Sequence, residues 1–173
     1  DPEMSRGLGD VYKRQLLIFV LLFGLNVTAE TLSAGVSKVE MVPNSFYGSW
    51  RVTAKIDKQS SNGVYFKPQT VDLWNLSREG SVINLNNPFT GASASVTVDY
   101  VDGNIIRFTK TGEYDNKKLT DTVDLKLNGD TFTGINSLTL ETFSNVDKSL
   151  IKKDTAMYVL RGEKISGSSI TGK

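Results

Sequence analysis

The sequence predicts an all-β domain built as an antiparallel up-and-down meander of about eight strands. Apolar and polar side chains alternate with a two-residue period along most of the chain from Phe46 to Lys164, as half-buried strands require. Short turns separate the alternating runs, and short turns make consecutive strands antiparallel. We therefore expect a closed barrel, which leaves no strand edges exposed, with a two-sheet β-sandwich as the alternative.

The N-terminal 29 residues are expected to lie outside the folded domain. Residues 1–15 have no periodicity and end in a stretch that resembles translated sequencing-adapter ends, so we interpret them as a non-native leader. Residues 16–29 contain an uncharged apolar run, too short to span a bilayer, followed by the small-residue site Val27-Thr28-Ala29. This pattern predicts a signal peptide with a truncated start, cleaved after Ala29. The mature chain is then exported to the periplasm or the cell exterior and keeps no membrane span.

The elements of the mature chain follow from the alternation and its interruptions. Residues 30–45 form a polar arm with room for one helical turn, and the barrel domain covers residues 46–164. Gly accepts positive φ without a steric penalty, so Asp102-Gly103 and Asn128-Gly129 predict sharp hairpins. Residues 144–154 are a polar connection, and residues 165–173 are a flexible tail. The expected strands are Phe46–Ile56, Thr70–Ser77, Ser81–Asn86, Ala92–Val101, Asn104–Tyr114, Lys118–Leu127, Thr131–Phe143 and Thr155–Lys164.

The amino-acid composition excludes several classes of chemistry. The chain has no cysteine and no histidine, which rules out a disulfide, a thiolate nucleophile, a Ser-His-Asp triad and a zinc site built on His or Cys. A bacterial lipoprotein is excluded too, because its lipid is attached to a cysteine. The 20 basic and 19 acidic residues leave a net charge of +1, so nucleic acid is not expected as a partner. We expect no metal and no cofactor.

The motif Gly48-Ser49-Trp50 at the head of the first strand, followed by the meander, resembles the lipocalins and the wider calycin superfamily. In that family the Trp closes the bottom of the barrel, and an Arg or Lys near the end of the last strand packs across it. Arg161 stands at the matching position here. The resemblance implies that Gly48, Trp50 and Arg161 are structural residues, with the guanidinium over the indole. Thr120-Asp121-Thr122 matches another family signature only in its first two residues.

The inward-facing residues decide whether such a barrel holds a ligand, because an eight-stranded interior accommodates side chains or one small molecule. The alternation does not decide which side chains of the second strand point inward at residues 73–75. Either Trp74 points inward with Asp72 and Leu76, or Leu73 points inward with Val71 and Asn75. Small inward residues such as Ala54 and Gly134 either leave space or pack against larger neighbours. The candidate ligand-contacting residues are Trp74, Asn75, Tyr100, Phe108, Asn136 and Tyr158.

These observations favour an exported, non-enzymatic protein that binds a small apolar or amphipathic molecule inside its barrel. The alternative is a structural or interaction module of the cell envelope, with a filled core and an exposed aromatic patch near Trp74 or Tyr65-Phe66 that contacts protein or carbohydrate. Asp121 and Asp124 are three residues apart and face opposite sides of a strand, so they cannot act as a catalytic pair. A carboxylate pair from different strands is not excluded by spacing.

Overall fold

The barrel predicted from the alternation is confirmed by a computed structural model, which describes residues 38–61, 64, 66–88 and 91–167. Each strand is antiparallel to the next, and β8 returns to pair with β1, so the sheet closes in sequence order. The sandwich is therefore not formed. The elements are a short helix α1 (Lys38–Met41), a 3-10 turn (Asn44–Phe46), and strands β1 (Gly48–Ser60), β2 (Gln69–Glu79), β3 (Val82–Asn87), β4 (Ala92–Asp102), β5 (Ile105–Tyr114), β6 (Lys117–Asn128), β7 (Thr131–Phe143) and β8 (Leu150–Ser166).

In the described part of the N-terminal arm, residues 38–45, α1 forms a helical turn, for which the sequence leaves room. The predicted leader and signal peptide, residues 1–29, lie outside the described residues, as does the predicted tail from residue 168 onward. Within the part of the chain that the structure describes, no helix is long and apolar enough to cross a membrane.

Two strands are longer than the apolar alternation predicts. β1 continues through a polar stretch to Ser60, and β8 begins at Leu150, inside the connection expected at residues 144–154. The extension of β1 pairs with residues 155–157 of β8, and the extension of β8 pairs with residues 140–143 of β7. A register shift between Ile56 and Lys58 marks the point in β1 where the apolar alternation ends. Backbone pairing therefore continues both strands where the side chains carry no apolar period.

One end of the barrel is closed by five aromatic side chains, which we call the aromatic floor: Phe46, Trp50, Trp74, Phe108 and Phe132. The ring centroids of Trp50 and Phe132 are 5.1 Å apart, and Trp74 stacks on Phe132 at 5.9 Å. Phe46 contacts Phe108 at 6.0 Å, and its carbonyl accepts a 2.8 Å hydrogen bond from the indole N–H of Trp50. All except Trp74 are fully buried, so this end of the barrel has a packed core.

Glycines allow a ring or a neighbouring backbone to approach closely at three positions of the barrel wall. A Cβ on Gly162 would overlap with the ring of Phe132, and a Cβ on Gly48 would overlap with the backbone of Ser166. Gly48 also has a φ of +118°, which favours glycine. A Cβ on Gly134 would overlap with neighbouring backbone of β6. Around the floor, the small residues therefore pack against larger neighbours and leave no space for a ligand.

The predicted contact between Arg161 and Trp50 is wrong. Arg161 is exposed on the outer face of β8, opposite Thr53 of β1. Lys164, which faces inward, occupies the expected position: its Nζ lies 4.8 Å from the centroid of the Trp50 ring and donates a hydrogen bond to the carbonyl of Ser45. Burial alternates residue by residue along this part of β8, so two positions three apart face opposite sides. The contact between the first and last strands exists, with lysine as the cation.

Trp50→Ala is expected to lower the free energy of unfolding by about 3–5 kcal/mol, because it removes a large buried ring. Lys164→Met should cost less in the Trp50→Ala background than in the wild type, with a coupling free energy of about 0.5–2 kcal/mol. Arg161→Met is the matched control, and its effect should add to that of Trp50→Ala. Urea unfolding of both double-mutant cycles measures these values, and additivity in the Lys164 cycle would contradict the contact.

Candidate functional site

Above the aromatic floor, several inward-facing side chains are only partly buried. The strand register shows which side chains face the barrel axis: Ala54 on β1 lies opposite Thr70 on β2, and Trp50 lies opposite Trp74. Inward side chains on β5 and β7 are partly exposed as well. This contrasts with the inward residues around the floor, which are buried. We call the partly exposed region the hollow, lined by Ala54, Thr70, Asp72, Trp74, Lys110 and Asn136.

The barrel wall is incomplete beside the hollow. β3 has only 6 residues and first pairs with β2 at Asn75, so residues 69–74 of β2 have no β3 partner. On the other side, β4 pairs with β5 only as far as Thr109, so residues 110–114 of β5 have no β4 partner. Pro88 follows the end of β3 directly, and proline cannot donate to a strand ladder. We call the opening between residues 69–74 and 110–114 the wall gap.

Four polar side chains, which we call the polar cluster, face the barrel interior next to this gap: Asp72, Lys110, Asp121 and Asn136. Lys110 is directly opposite Asp121 in the β5–β6 ladder, and its Nζ lies 2.7 Å from Oδ2 of Asp121. The side-chain amide of Asn136 donates a hydrogen bond to the other carboxylate oxygen of Asp121. Only 18% of the Lys110 side chain and 6% of the Asp121 side chain are exposed.

Asp72 is the member of the cluster that lies on the opposite border of the wall gap, on β2. Burial raises the pKa of Asp72, while the positive charge of Lys110, a hydrogen bond with Thr70 and the charge of Lys67 act in the opposite direction. Because burial is the largest effect, Asp72 is a carboxylate whose ionised form is poorly compensated by the protein around it.

The connection between β1 and β2 covers part of the barrel end above the hollow. The hydroxyl of Tyr158 donates to the carbonyl of Lys67 at 3.0 Å, and the N–H of Ile56 donates to the carbonyl of Pro68 at 2.8 Å. Phe66, in the same connection, packs against the core. The described residues of this connection are thus tied to β1 and β8, whereas no described strand closes the wall gap.

Four of the predicted ligand-contacting residues face the barrel interior: Trp74, Phe108, Asn136 and Tyr158. Trp74 and Asn136 line the hollow, Phe108 belongs to the floor beneath it, and Tyr158 holds the β1–β2 connection. The facing that the sequence left open is settled by the pairing of Trp74 with Trp50, which turns Asp72 and Leu76 inward as well. The structure thus places the ring of Trp74 on the same inner face as the polar cluster, of which Asn136 is a member.

Asn75 and Tyr100 face away from the barrel axis. Asn75 lies opposite Ser49 on the outer face of β2. The inward orientation predicted for Tyr100 is wrong: it is 48% exposed, because a bulge between Val98 and Tyr100 reverses the alternation and turns Val101 inward instead. Neither side chain lines the hollow.

The exposed aromatic patch that the sequence offered as an alternative is not formed around Trp74, because its ring faces inward onto Phe132. Phe66 packs against the core, and Tyr65 lies outside the described residues. Within the described ranges, no three acidic side chains converge as metal ligands would.

Three members of the polar cluster were absent from the predicted site: Asp72, Lys110 and Asp121. Asp72 shares a face with Trp74, two residues away, so an inward Trp74 implies an inward Asp72. Lys110 continues the apolar series Ile106 and Phe108 with a charge, which is a sequence signal for an inward polar residue. Asp121 carries no such signal until its pairing with Lys110 is known.

Comparison of the chain with protein-family models, with curated proteins and with solved structures gave no match. The chemistry of the hollow and of the polar cluster is therefore the basis on which a function can be assigned.

Lys110→Met is expected to lower the free energy of unfolding by about 3 kcal/mol, because it leaves the buried charge of Asp121 without its cation. The double variant Lys110→Met/Asp121→Asn removes both charges and should recover much of this loss. Lys126→Met, at an exposed position on the outer face of β6, serves as the matched control. Urea unfolding measures all three, and a wild-type stability for Lys110→Met would contradict a buried ion pair.

Asp72→Asn is expected to raise the melting temperature at neutral pH, because it removes an ionised carboxylate from a partly buried site. Below pH 3.8 the wild-type carboxyl is protonated in both the folded and the unfolded state, so the cost disappears there. The advantage of the variant should grow as the pH rises from 3.8 through the raised pKa of the folded state. Thermal unfolding across this range measures it, with the exposed Asp57→Asn as control. A difference that does not change with pH would contradict the burial of Asp72.

Proposed function

We propose that this protein is an exported, non-enzymatic binding protein that holds one small amphipathic molecule in the hollow of its barrel. The polar cluster is the observation that carries the proposal. A buried ion pair rarely stabilises a fold more than apolar residues of the same size would, so charges inside a barrel call for another reason. Polar groups that converge beside an aromatic ring, in a concave region open to solvent, are typical of a ligand site.

The hollow offers both kinds of contact that an amphipathic molecule requires. Its apolar side consists of Ala54 and the ring of Trp74, and its polar side consists of Asp72, Lys110 and Asn136. The aromatic floor closes the space below. A molecule with one polar end and a short apolar portion would place the polar end at the cluster and the rest against the indole.

The contacts of the cluster support binding rather than catalysis. Asp121 has one oxygen beside the ammonium of Lys110 and the other beside the amide of Asn136, so its carboxylate is held as a structural acceptor. Asp72 is then the one inward carboxylate of the cluster without a short ion pair, and a glycosidase-type reaction requires two acting carboxyl groups.

One feature of the sequence and one contact in the structure support export and a lipocalin-like closure. The segment 16–29 supports export, because it combines a short apolar run with a small-residue cleavage site. The contact of Lys164 with Trp50 supports a lipocalin-like closure, since it joins a Gly-x-Trp motif in the first strand to a cation near the end of the last strand.

Filling the hollow is expected to abolish binding. Ala54 faces inward, so Ala54→Phe should reduce the affinity for the neutral probe N-phenyl-1-naphthylamine by about tenfold or more, since the new ring occupies the ligand's space. Thr53→Phe introduces the same ring on the outer face of β1 and is the matched control, with affinity unchanged. Fluorescence titration measures both. Equal affinities for the two variants would mean that the probe binds outside the barrel. Native mass spectrometry of the wild type is a second test, and the absence of a bound molecule there would also contradict the proposal.

A further inference from the structure

We propose that the ligand of the hollow carries an organic cation, such as a primary amine, which pairs with Asp72 beside the indole of Trp74. This inference rests on the proposed binding function and names the chemical class of its ligand. It follows from the charges that line the hollow and from the position of Asp72 at the wall gap.

The charges facing the hollow do not balance. Asp72 and Asp121 supply two negative charges, and Lys110 supplies one positive charge, which it places 2.7 Å from Asp121. Asp121 gains the amide of Asn136 as well, so the protein's cation and its amide are both committed to the same carboxylate. Asp72 is left with a hydrogen bond from Thr70 and with charges at longer range.

The other lysines near the hollow do not remove this imbalance. Lys152 lies 3.0 Å from Asp154, so that pair is neutral by itself. Lys117 also faces inward, but the positive charges that act on Asp72 are those of Lys110 and Lys67. Lys67 acts on Asp72 more weakly than Lys110 does, and its side chain is exposed to solvent. A cation brought by a ligand would be the closest positive partner of Asp72.

The neighbour of Asp72 on the inner face of β2 is Trp74, two residues along the strand. Its ring remains partly exposed to the hollow, in contrast to the fully buried Trp50. An ammonium held by Asp72 would lie next to the aromatic side chain that attracts cations most strongly. The two groups recognise the same feature of a ligand, its positive charge, while an alkyl chain attached to the amine would extend over the apolar part of the hollow.

Asp72 is also accessible to an arriving molecule. It lies on residues 69–74 of β2, where no β3 strand pairs, and it is bordered across the wall gap by Lys110 on β5. A ligand entering through the wall gap meets this carboxylate before it reaches the floor. The position favours a small cation with an apolar tail over a bulky one, because the floor and the β1–β2 connection limit the space on either side.

Three probes of equal chain length test the charge preference: n-octylammonium, 1-octanol and octanoate. Calorimetric titration of the wild-type protein should give an affinity for n-octylammonium at least about tenfold higher than for 1-octanol, with octanoate weakest. Asp72→Asn should reduce the affinity for n-octylammonium to that of the alcohol and leave the alcohol unchanged. Asp57→Asn, an exposed carboxylate on the same barrel, is the matched control and should leave all three affinities unchanged.

The outcomes separate this inference from the function on which it depends. If none of the three probes binds, and Ala54→Phe binds N-phenyl-1-naphthylamine as the wild type does, the binding function itself is wrong. If 1-octanol or octanoate binds as well as n-octylammonium, the hollow binds ligands but the cation preference is wrong. A preference for the ammonium that persists in Asp72→Asn would overturn the role of Asp72. The wild-type probe series gives its answer without any variant, so it stands even if a substitution impairs folding.

Discussion

Pairing of β8 with β1 is the interaction on which the rest of the structure depends. It turns a linear meander into a closed wall, and it does so without a disulfide, because the chain has no cysteine. The same pairing places Trp50 opposite Lys164 at the closed end and Ile56 opposite Tyr158 further up. The aromatic floor and the hydrogen bond of Tyr158 to the β1–β2 connection therefore both depend on the pairing of β1 with β8.

The two halves of the barrel differ in the burial of their inward side chains. Around the floor these side chains are buried, although β4 has no β3 partner beyond Val96. Above the floor β3 ends before Pro88, and β2 and β5 lose their partners on the side of the gap. Unpaired strand edges invite pairing with another chain, and inward-pointing charges are one way in which proteins prevent it. Asp72 and Lys110 lie on these two edges, so they protect the gap as well as line the hollow.

Features that depend on local sequence patterns could be predicted, whereas features that depend on backbone irregularities or on strand register could not. The strands and the hairpins depend on local period and turn chemistry, and these are visible in the sequence. The outward orientation of Tyr100 depends on one extra residue in β4, which changes the backbone without changing the apolar pattern. The choice between Arg161 and Lys164 was predictable, because an inward Tyr158 implies an inward Lys164 by parity. The pairing of Asp121 with Lys110 depends on the register of β5 and β6, which the length of their turn sets; the turn lies between Tyr114 and Lys117, one residue shorter than the strands expected from the sequence imply.

A poorly compensated carboxylate would link folding to the proposed ligand binding. The barrel carries the cost of an ionised Asp72 at a partly buried position, and that cost lowers its free energy of unfolding. A ligand that supplies the missing positive charge removes this cost as it binds, so part of its affinity comes from relieving the protein rather than from new apolar contacts. Because only the folded barrel brings Asp72, Trp74 and the aromatic floor together, such a ligand at concentration c would stabilise the fold by RT ln(1 + c/Kd), which rises with the logarithm of c once c exceeds Kd. The same carboxylate would be a defect in a barrel with a filled core, where apolar side chains of equal size would serve better.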